Sequence, residues 1–318
     1  MYNNEIKEEF LETRTPIMRE TAKHIFNTTE KYESSFNKDV SNFTTAEITM
    51  MYKGIFSPSL DYINNINTQL TIYTRYMLSR NLVSDKQNHY EEFDFKILNT
   101  FLNQGYINQA IISRSELLKI LHTNNEDIKN PSEKFLILGL FEGLDGQGHS
   151  DFWELSLNDF KDDGVHVVRG KNENEREVVI PVSDELRSFA EESANEYTYY
   201  MYGDNDDGRH LIRRYNDYDN RIIKSYLPNT VDTPASNRIR IHRMVKKIAE
   251  NTGMVTFKAQ NLRESGRIEM IKQLHKEGEE WRDTILNNRT RIEDIYGKFS
   301  SGSVSKYLTR FSRFFEDQ

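Results

Sequence analysis

Gly297-Lys298-Phe299-Ser300-Ser301-Gly302-Ser303-Val304-Ser305-Lys306-Tyr307 lies near the C-terminal end of a chain of 318 residues. The stretch is small and polar. An apolar segment precedes it (Ile292, Ile295, Tyr296) and an aromatic tail follows (Phe311, Phe314, Phe315). It ends on a tyrosine set between Lys306 and Arg310. Neighbouring cations lower the cost of a phenolate, so Tyr307 reads as a candidate nucleophile. As one of 17 tyrosines it reads equally as a core aromatic with its hydroxyl at the surface. The surrounding chain has to decide.

Upstream of it stands the clearest strand signal, Val165-His166-Val167-Val168-Arg169 and Glu177-Val178-Val179-Ile180 on either side of a polar turn that carries Lys171. Two β-branched runs around such a turn predict a hairpin. Most of the remainder has helical periodicity. One helix is expected over 1–40, a capped one from Thr44-Thr45-Ala46-Glu47, and two more either side of a break near 64–67. Others follow from Ser113 and over 135–144, 183–202, 239–248 and from 257. Residues 276–291 read as a charged connection. The fold class is therefore mainly α with a small β-sheet. Residues 1–90 form an all-helical domain, 91–111 a linking arm with the polar run 84–89 just before it, and 112–318 a second, mixed domain.

Composition narrows the functions. Cysteine is absent, which excludes disulfides, thiol catalysis and cysteine zinc sites. The eight histidines are scattered, with no zincin pairing, and no metal or cofactor is expected. No phosphate-cradling glycine loop, dinucleotide fingerprint or Gly-x-Ser-x-Gly elbow occurs. No apolar run reaches the roughly 20 residues of a membrane span, and no signal peptide is visible, so a cytoplasmic protein is expected. The net charge is −8, yet Arg209 to Lys247 holds ten Lys/Arg against three Asp. A locally basic face on an acidic protein can hold a polyanion, because binding follows the local field.

What remains is an ordered set: a glycine-rich turn before Trp153, the hairpin Lys171, Leu262-Arg263 at a helix start, Gly297-Lys298, and Tyr307 nine residues after Lys298. In this order and spacing the chain resembles the tyrosine recombinase (phage integrase) family. The resemblance covers most of the chain and implies a helical core-binding domain followed by an α/β catalytic-like domain. The match is close in layout and poor in chemistry. Aligning Leu155 and Asp159 with the end of the family's first box puts Asp151 on its acid and Gly148 on its arginine. A shift of one residue would put His149 there instead. Lys171 matches the hairpin lysine. The His-x-x-Arg box falls on Gln260-Asn261-Leu262-Arg263, which keeps the arginine and replaces the histidine. In the third box Lys298 stands where the family has histidine. The segment between Arg263 and Gly297 also looks longer than is usual.

Tyrosine cleavage of a DNA strand builds negative charge on non-bridging phosphate oxygens. Two forked arginines stabilise that charge, and a lysine protonates the leaving oxygen. Losing one clamp should cost about 3–4 kcal/mol of barrier, by analogy with a lost oxyanion donor. The resemblance with these losses implies a protein that binds double-stranded DNA at operator-like sites without cutting it. It is closest in character to the integrase-derived repressors that hold prophages dormant. The remnant set is Gly148, Lys171, Gln260, Arg263, Lys298 and Tyr307. The expected DNA contacts are Arg75, Arg80, Lys171, Arg238, Arg240, Arg243, Lys246, Lys247, Lys258, Gln260, Arg263, Arg267, Lys298 and Lys306. The setting expected for a repressor is the nucleoid of a bacterial host, with a small protein or peptide as a further partner. Two other readings stand beside this one. They are a recombinase that is active alone or with a partner through Tyr307, and an interaction protein that has lost DNA binding too.

Overall fold

The structure, a computed structural model, describes residues 2–316 except 58, 124–126, 147, 171–174, 205–209, 217–219, 227–232 and 300–302. Lys171 and the tip of its hairpin lie outside the described residues. The chain divides into two compact units, 1–105 and 106–318. Both the mainly helical content and the small sheets agree with the expected architecture.

The first unit contains α1 (Asn4–Glu12), α2 (Pro16–Phe36), α3 (Thr45–Ile55), α4 (Leu60–Ser79) and α5 (Phe95–Asn99); α6 (Gln104–Ala110) carries the chain into the second. The helix expected over 1–40 is broken in two, because Pro16 occupies the first turn of α2, where it needs no hydrogen bond. The break expected near 64–67 is absent, and α4 is continuous. Asn67 causes no break because its buried amide is satisfied from the side: Tyr52 donates to its Oδ1 at 2.7 Å. The Thr44–Glu47 capping box forms as expected. Residues 84–92 are not an open link. Ser84 N–H donates to Asn42 at 2.9 Å, and Asn88 Nδ2 donates to the Thr71 carbonyl at 3.0 Å, tying the segment to the unit.

Lys7 and Glu33 form an ion pair fully removed from solvent, with Nζ 2.5 and 2.6 Å from the two carboxylate oxygens. Burial pushes the Glu33 carboxyl up, while Lys7 and the Val40 N–H hold it down.

The second unit is built on α8 (Pro131–Glu142), which follows α7 (Arg114–His122). The residues from Phe135 to Phe141 are all buried, so α8 reads as apolar on every side. It is followed by α9 (Ser150–Glu154) and the antiparallel sheet β1 (Phe160–Lys161), β2 (Gly164–Arg169), β3 (Arg176–Ile180). The predicted hairpin is present with Val165 opposite Ile180 and Val167 opposite Val178, all four facing the core. Then come α10 (Asp184–Ala194), β4 (Thr198–Asp204), β5 (His210–Arg214), α11 (Pro234–Thr252), α12 (Ala259–Leu274), α13 (Trp281–Asn287), α14 (Arg289–Tyr296) and α15 (Val304–Arg310).

Two segments differ from the sequence reading. Residues 198–202, expected as helix, belong to a strand, β4, paired with β5. The tyrosines there alternate between faces, with Tyr199 buried and Tyr200 exposed. The buried Asn130 amide completes the ladder by bonding both the N–H and the carbonyl of Tyr200, at 2.7 and 3.0 Å. Residues 276–291 are helical over much of their length, because Ile285 and Ile292 are fully buried seven residues apart.

One close approach fixes the site. A Cβ on Gly266 would lie 1.6 Å from the Phe141 carbonyl oxygen, so α12 touches α8 backbone to backbone. That contact sets the depth at which Arg263 and Arg267 stand.

Candidate nucleic-acid interface

α8 ends at Gly143, and a turn leads from there into α9 at Ser150. This turn holds the positions of the first box. Asp151 is buried. It accepts from the Asp145 N–H at 2.8 Å and from Arg169 at 2.6 Å. Arg169 also donates to the carbonyls of Gly143 (2.6 Å), Asp294 (2.7 Å) and Ile295 (2.6 Å). It thus stitches the turn, the sheet and the end of α14 together. Sequence reasoning passed over Arg169 for the neighbouring lysine, because nothing local marks an arginine whose four acceptors come from three distant segments.

Arg263, the retained box arginine, points into the turn and is ion-paired with Asp145. The other oxygen of Asp145 lies 2.5 Å from His149 Nδ1. A carboxylate therefore occupies the guanidinium that the family aims at phosphate. Asp145 was read only as part of a flexible turn, and its role depends on a partner 118 residues away.

Gly148 has φ +67°, and a Cβ there would sit 2.9 Å from Cδ and 3.0 Å from Nε of Arg238. Arg238, exposed on α11, lies directly over the position that lacks the family arginine. Gln260 is exposed in the first turn of α12 and lines a cleft of about 530 Å³ with His242, Lys246 and Lys258. Lys258 donates to the Tyr106 hydroxyl at 3.0 Å. Burial opposes ionisation of Tyr106, yet Lys258 and Asn261 pull its pKa below the ordinary tyrosine value. Lys298 is exposed at the rim of a cleft of about 920 Å³ that also contains Asp145, Arg176 and Arg263. Among the described residues it makes no ion pair.

Three expectations change. Arg267 is not a DNA contact. It is 3% exposed, bonded to the carbonyls of Tyr296 (2.6 Å) and Gly297 (3.1 Å), paired with Glu264, and stacked 5.0 Å from the Phe299 ring. Arg240 is likewise committed, donating to the carbonyls of Ile223 (3.1 Å) and Lys224 (2.9 Å). The basic helix is also not one face. Arg238 lies over Gly148, whereas Arg243 and Lys247 line a separate cleft of about 660 Å³ against β4 and β5, and Lys246 borders both clefts on α11. A helix places residues four apart on one ridge and those two or five apart elsewhere, which a charge count along the sequence does not register. Lys306 is half-buried. In the first unit Arg75 pairs with Glu91 at 2.8 Å, and Arg80 pairs with Glu9; both pairs are exposed.

Tyr307 is 1% exposed and packs against Phe299 and Phe311, each 4.9 Å between ring centres, and against Phe315 at 6.2 Å. Its hydroxyl is buried without a hydrogen bond of ordinary geometry among the described residues. Burial first, and the Glu264 charge second, push its pKa well above the ordinary tyrosine value, against the pull of Arg267. The flanking cations suggested the opposite direction. They fail to lower the pKa because desolvation of the phenolate outweighs them.

A helical first unit, a second unit with this sheet, and box positions in this order define a tyrosine-recombinase-like protein. Residues 1–79 match the family described as MrpR, N-terminal core-binding domain, and residues 111–312 match MrpR, C-terminal catalytic domain. The chain belongs to the MrpR family. It is similar to the SPbeta prophage-derived uncharacterized protein YopR of Bacillus subtilis (strain 168), with 23% identity over 98% of this chain and 92% of the relative. Among the described residues no helix is long and apolar enough to cross a membrane, and no cluster of His, Asp or Glu is placed to hold a metal ion.

Proposed function

We propose that this protein binds double-stranded DNA sequence-specifically, has given up strand cleavage, and acts as a transcriptional repressor that maintains a prophage. One observation carries the reading. The group that would attack is buried and held protonated, while exposed cations remain around the place where a phosphate would lie. A phenol in an apolar pocket is a poor nucleophile, because the phenolate is desolvated there. Exposed lysines and arginines keep their electrostatic value for a polyanion, since phosphate contacts supply most of the affinity. Gln260, exposed in the first turn of α12, has the donor and acceptor that read adenine in the major groove. A protein that holds a defined duplex without cutting it can block transcription, and the relationship to a prophage protein supports that use. The site of action is then the bacterial nucleoid, and the release signal is a small protein or peptide that competes for the bound state.

The test is a gel shift on duplex fragments at several salt concentrations, paired with a nicked suicide duplex. Salt-sensitive binding without a covalent adduct supports the reading. An adduct that disappears in Tyr307→Phe would instead establish a working recombinase. No binding at low salt would leave an interaction protein without DNA.

A further inference from the structure

We infer that Arg238 supplies from α11 the phosphate-binding guanidinium that position 148 lacks, so that the anion clamp of this site is kept by a residue from another element. The inference rests on the DNA-binding reading above and says which side chain anchors the backbone.

Three observations converge on Arg238. The first is contact: its Cδ, Nε and Cζ lie 2.9, 3.0 and 3.3 Å from where a Gly148 Cβ would be. The stem of an arginine at 148 would enter the same volume, so the two side chains exclude one another. Glycine at 148 is thus the condition for Arg238 to lie there, and the left-handed backbone at φ +67° favours glycine as well.

The second is availability. Arg169, Arg176, Arg263 and Arg267 each hold a carboxylate. Arg238 is exposed and, among the described residues, makes no hydrogen bond or ion pair. An unpaired planar guanidinium can grip phosphate through two parallel N–H bonds, which a paired one cannot do without first releasing its acid.

The third is place. His149, next to Gly148, bonds Asp145, and Asp145 holds Arg263, so Arg238 borders the cluster built around the retained box arginine. Arg238, His242 and Lys246 follow at four-residue steps, each rising about 6 Å along one ridge of α11. The second and third of these line the cleft that Gln260 borders. The ridge therefore leads from the first-box turn to the start of α12, where Lys246 pairs with Glu250 at 3.5 Å, so Arg238 is its unpaired cation among the described residues.

The experiment measures affinity for one bound duplex across a salt series, with thermal stability of each variant recorded alongside. Arg238→Ala is expected to stay folded, lose about tenfold in affinity at low salt, and flatten the plot of log K against log salt by about 0.9, the value of one phosphate contact. Arg238→Lys should keep the slope and lose part of the affinity, because the charge stays while the fork goes. Gly148→Arg combined with Arg238→Ala should regain much of the lost affinity by returning the guanidinium to the other element. A folded Arg238→Ala with wild-type affinity and slope overturns the inference while leaving DNA binding intact. Wild-type protein that binds no duplex at low salt overturns both. A purely structural Arg238 would lower stability and leave the salt slope unchanged, which also overturns the inference.

Discussion

At one end of the candidate site Tyr307 is packed among Phe299, Phe311 and Phe315, beneath an Arg267 pinned to two backbone carbonyls. At the other end Arg238 stands exposed on α11 and, among the described residues, makes no ion pair. The difference is where the charge is spent. At the tyrosine end the protein's own groups satisfy the arginine, so its value goes into holding the fold. At the α11 end Arg238 is left for something outside the chain. Arg263 lies between, with a guanidinium suited to phosphate and Asp145 already holding it.

Removing a buried, internally paired charge should break the fold, because its partners are left stranded. Arg267→Ala removes the donor to Tyr296 and Gly297 and leaves Glu264 buried without its cation. The expected loss is about 3–5 kcal/mol, a fall in melting temperature on the order of 10 °C. A fall of only about 2 °C would mean that Arg267 is not the internal tie described, and the contrast between the two ends would collapse.

The cost of burying charge is also visible away from the site, at Glu196 beside β4. Burial, and then the Glu133 charge, push its carboxyl up to about 8, and one of its oxygens has no hydrogen-bond partner. The folded state therefore keeps this proton to higher pH than the unfolded chain does. Its contribution is most favourable below the ordinary carboxylate value of about 4.5 and is lost as pH rises through about 8. Glu196→Gln should flatten that dependence and stabilise the protein at pH 8 by roughly 1–2 kcal/mol, read from melting curves across pH. An unchanged slope would show that Glu196 is not desolvated as the fold implies.

Asp145→Asn tests the intermediate case. It keeps the shape of the turn and removes the charge that masks Arg263. Duplex affinity should rise about three- to tenfold, and the salt slope should steepen by about 0.9, as one more phosphate is engaged. Unchanged or weaker binding by the folded variant would place Arg263 with the structural arginines.

The smallest effect belongs to Tyr307→Phe. Its hydroxyl makes no hydrogen bond of ordinary geometry among the described residues, so removing it should change stability by no more than about 0.5 kcal/mol and duplex affinity by less than about twofold. A loss near 2 kcal/mol would show that the hydroxyl is held by a stabilising hydrogen bond, with Glu264 as its acceptor.

The sequence carried the hairpin legibly, because β-branched runs about a polar turn have few alternatives, and it carried the ordered boxes through their spacing. It did not carry β4, whose tyrosines suit a helix as well as a strand until Asn130 pairs with the backbone of Tyr200. Nor could it separate Arg238 from Arg243, since charge along a helix says nothing of which ridge meets which neighbour. The fates of Arg263 and Arg267 were hidden for the same reason. Their acceptors at Asp145, Tyr296 and Gly297 lie far off in the chain, and only packing brings them near.

The most direct test is one titration of a nicked suicide duplex carrying a bound site, run over a salt series and resolved on both native and denaturing gels. The expected result is a native complex whose affinity falls steeply with salt and no covalent band on the denaturing gel. A covalent band that Tyr307→Phe abolishes, or the absence of any native complex at low salt, would contradict it.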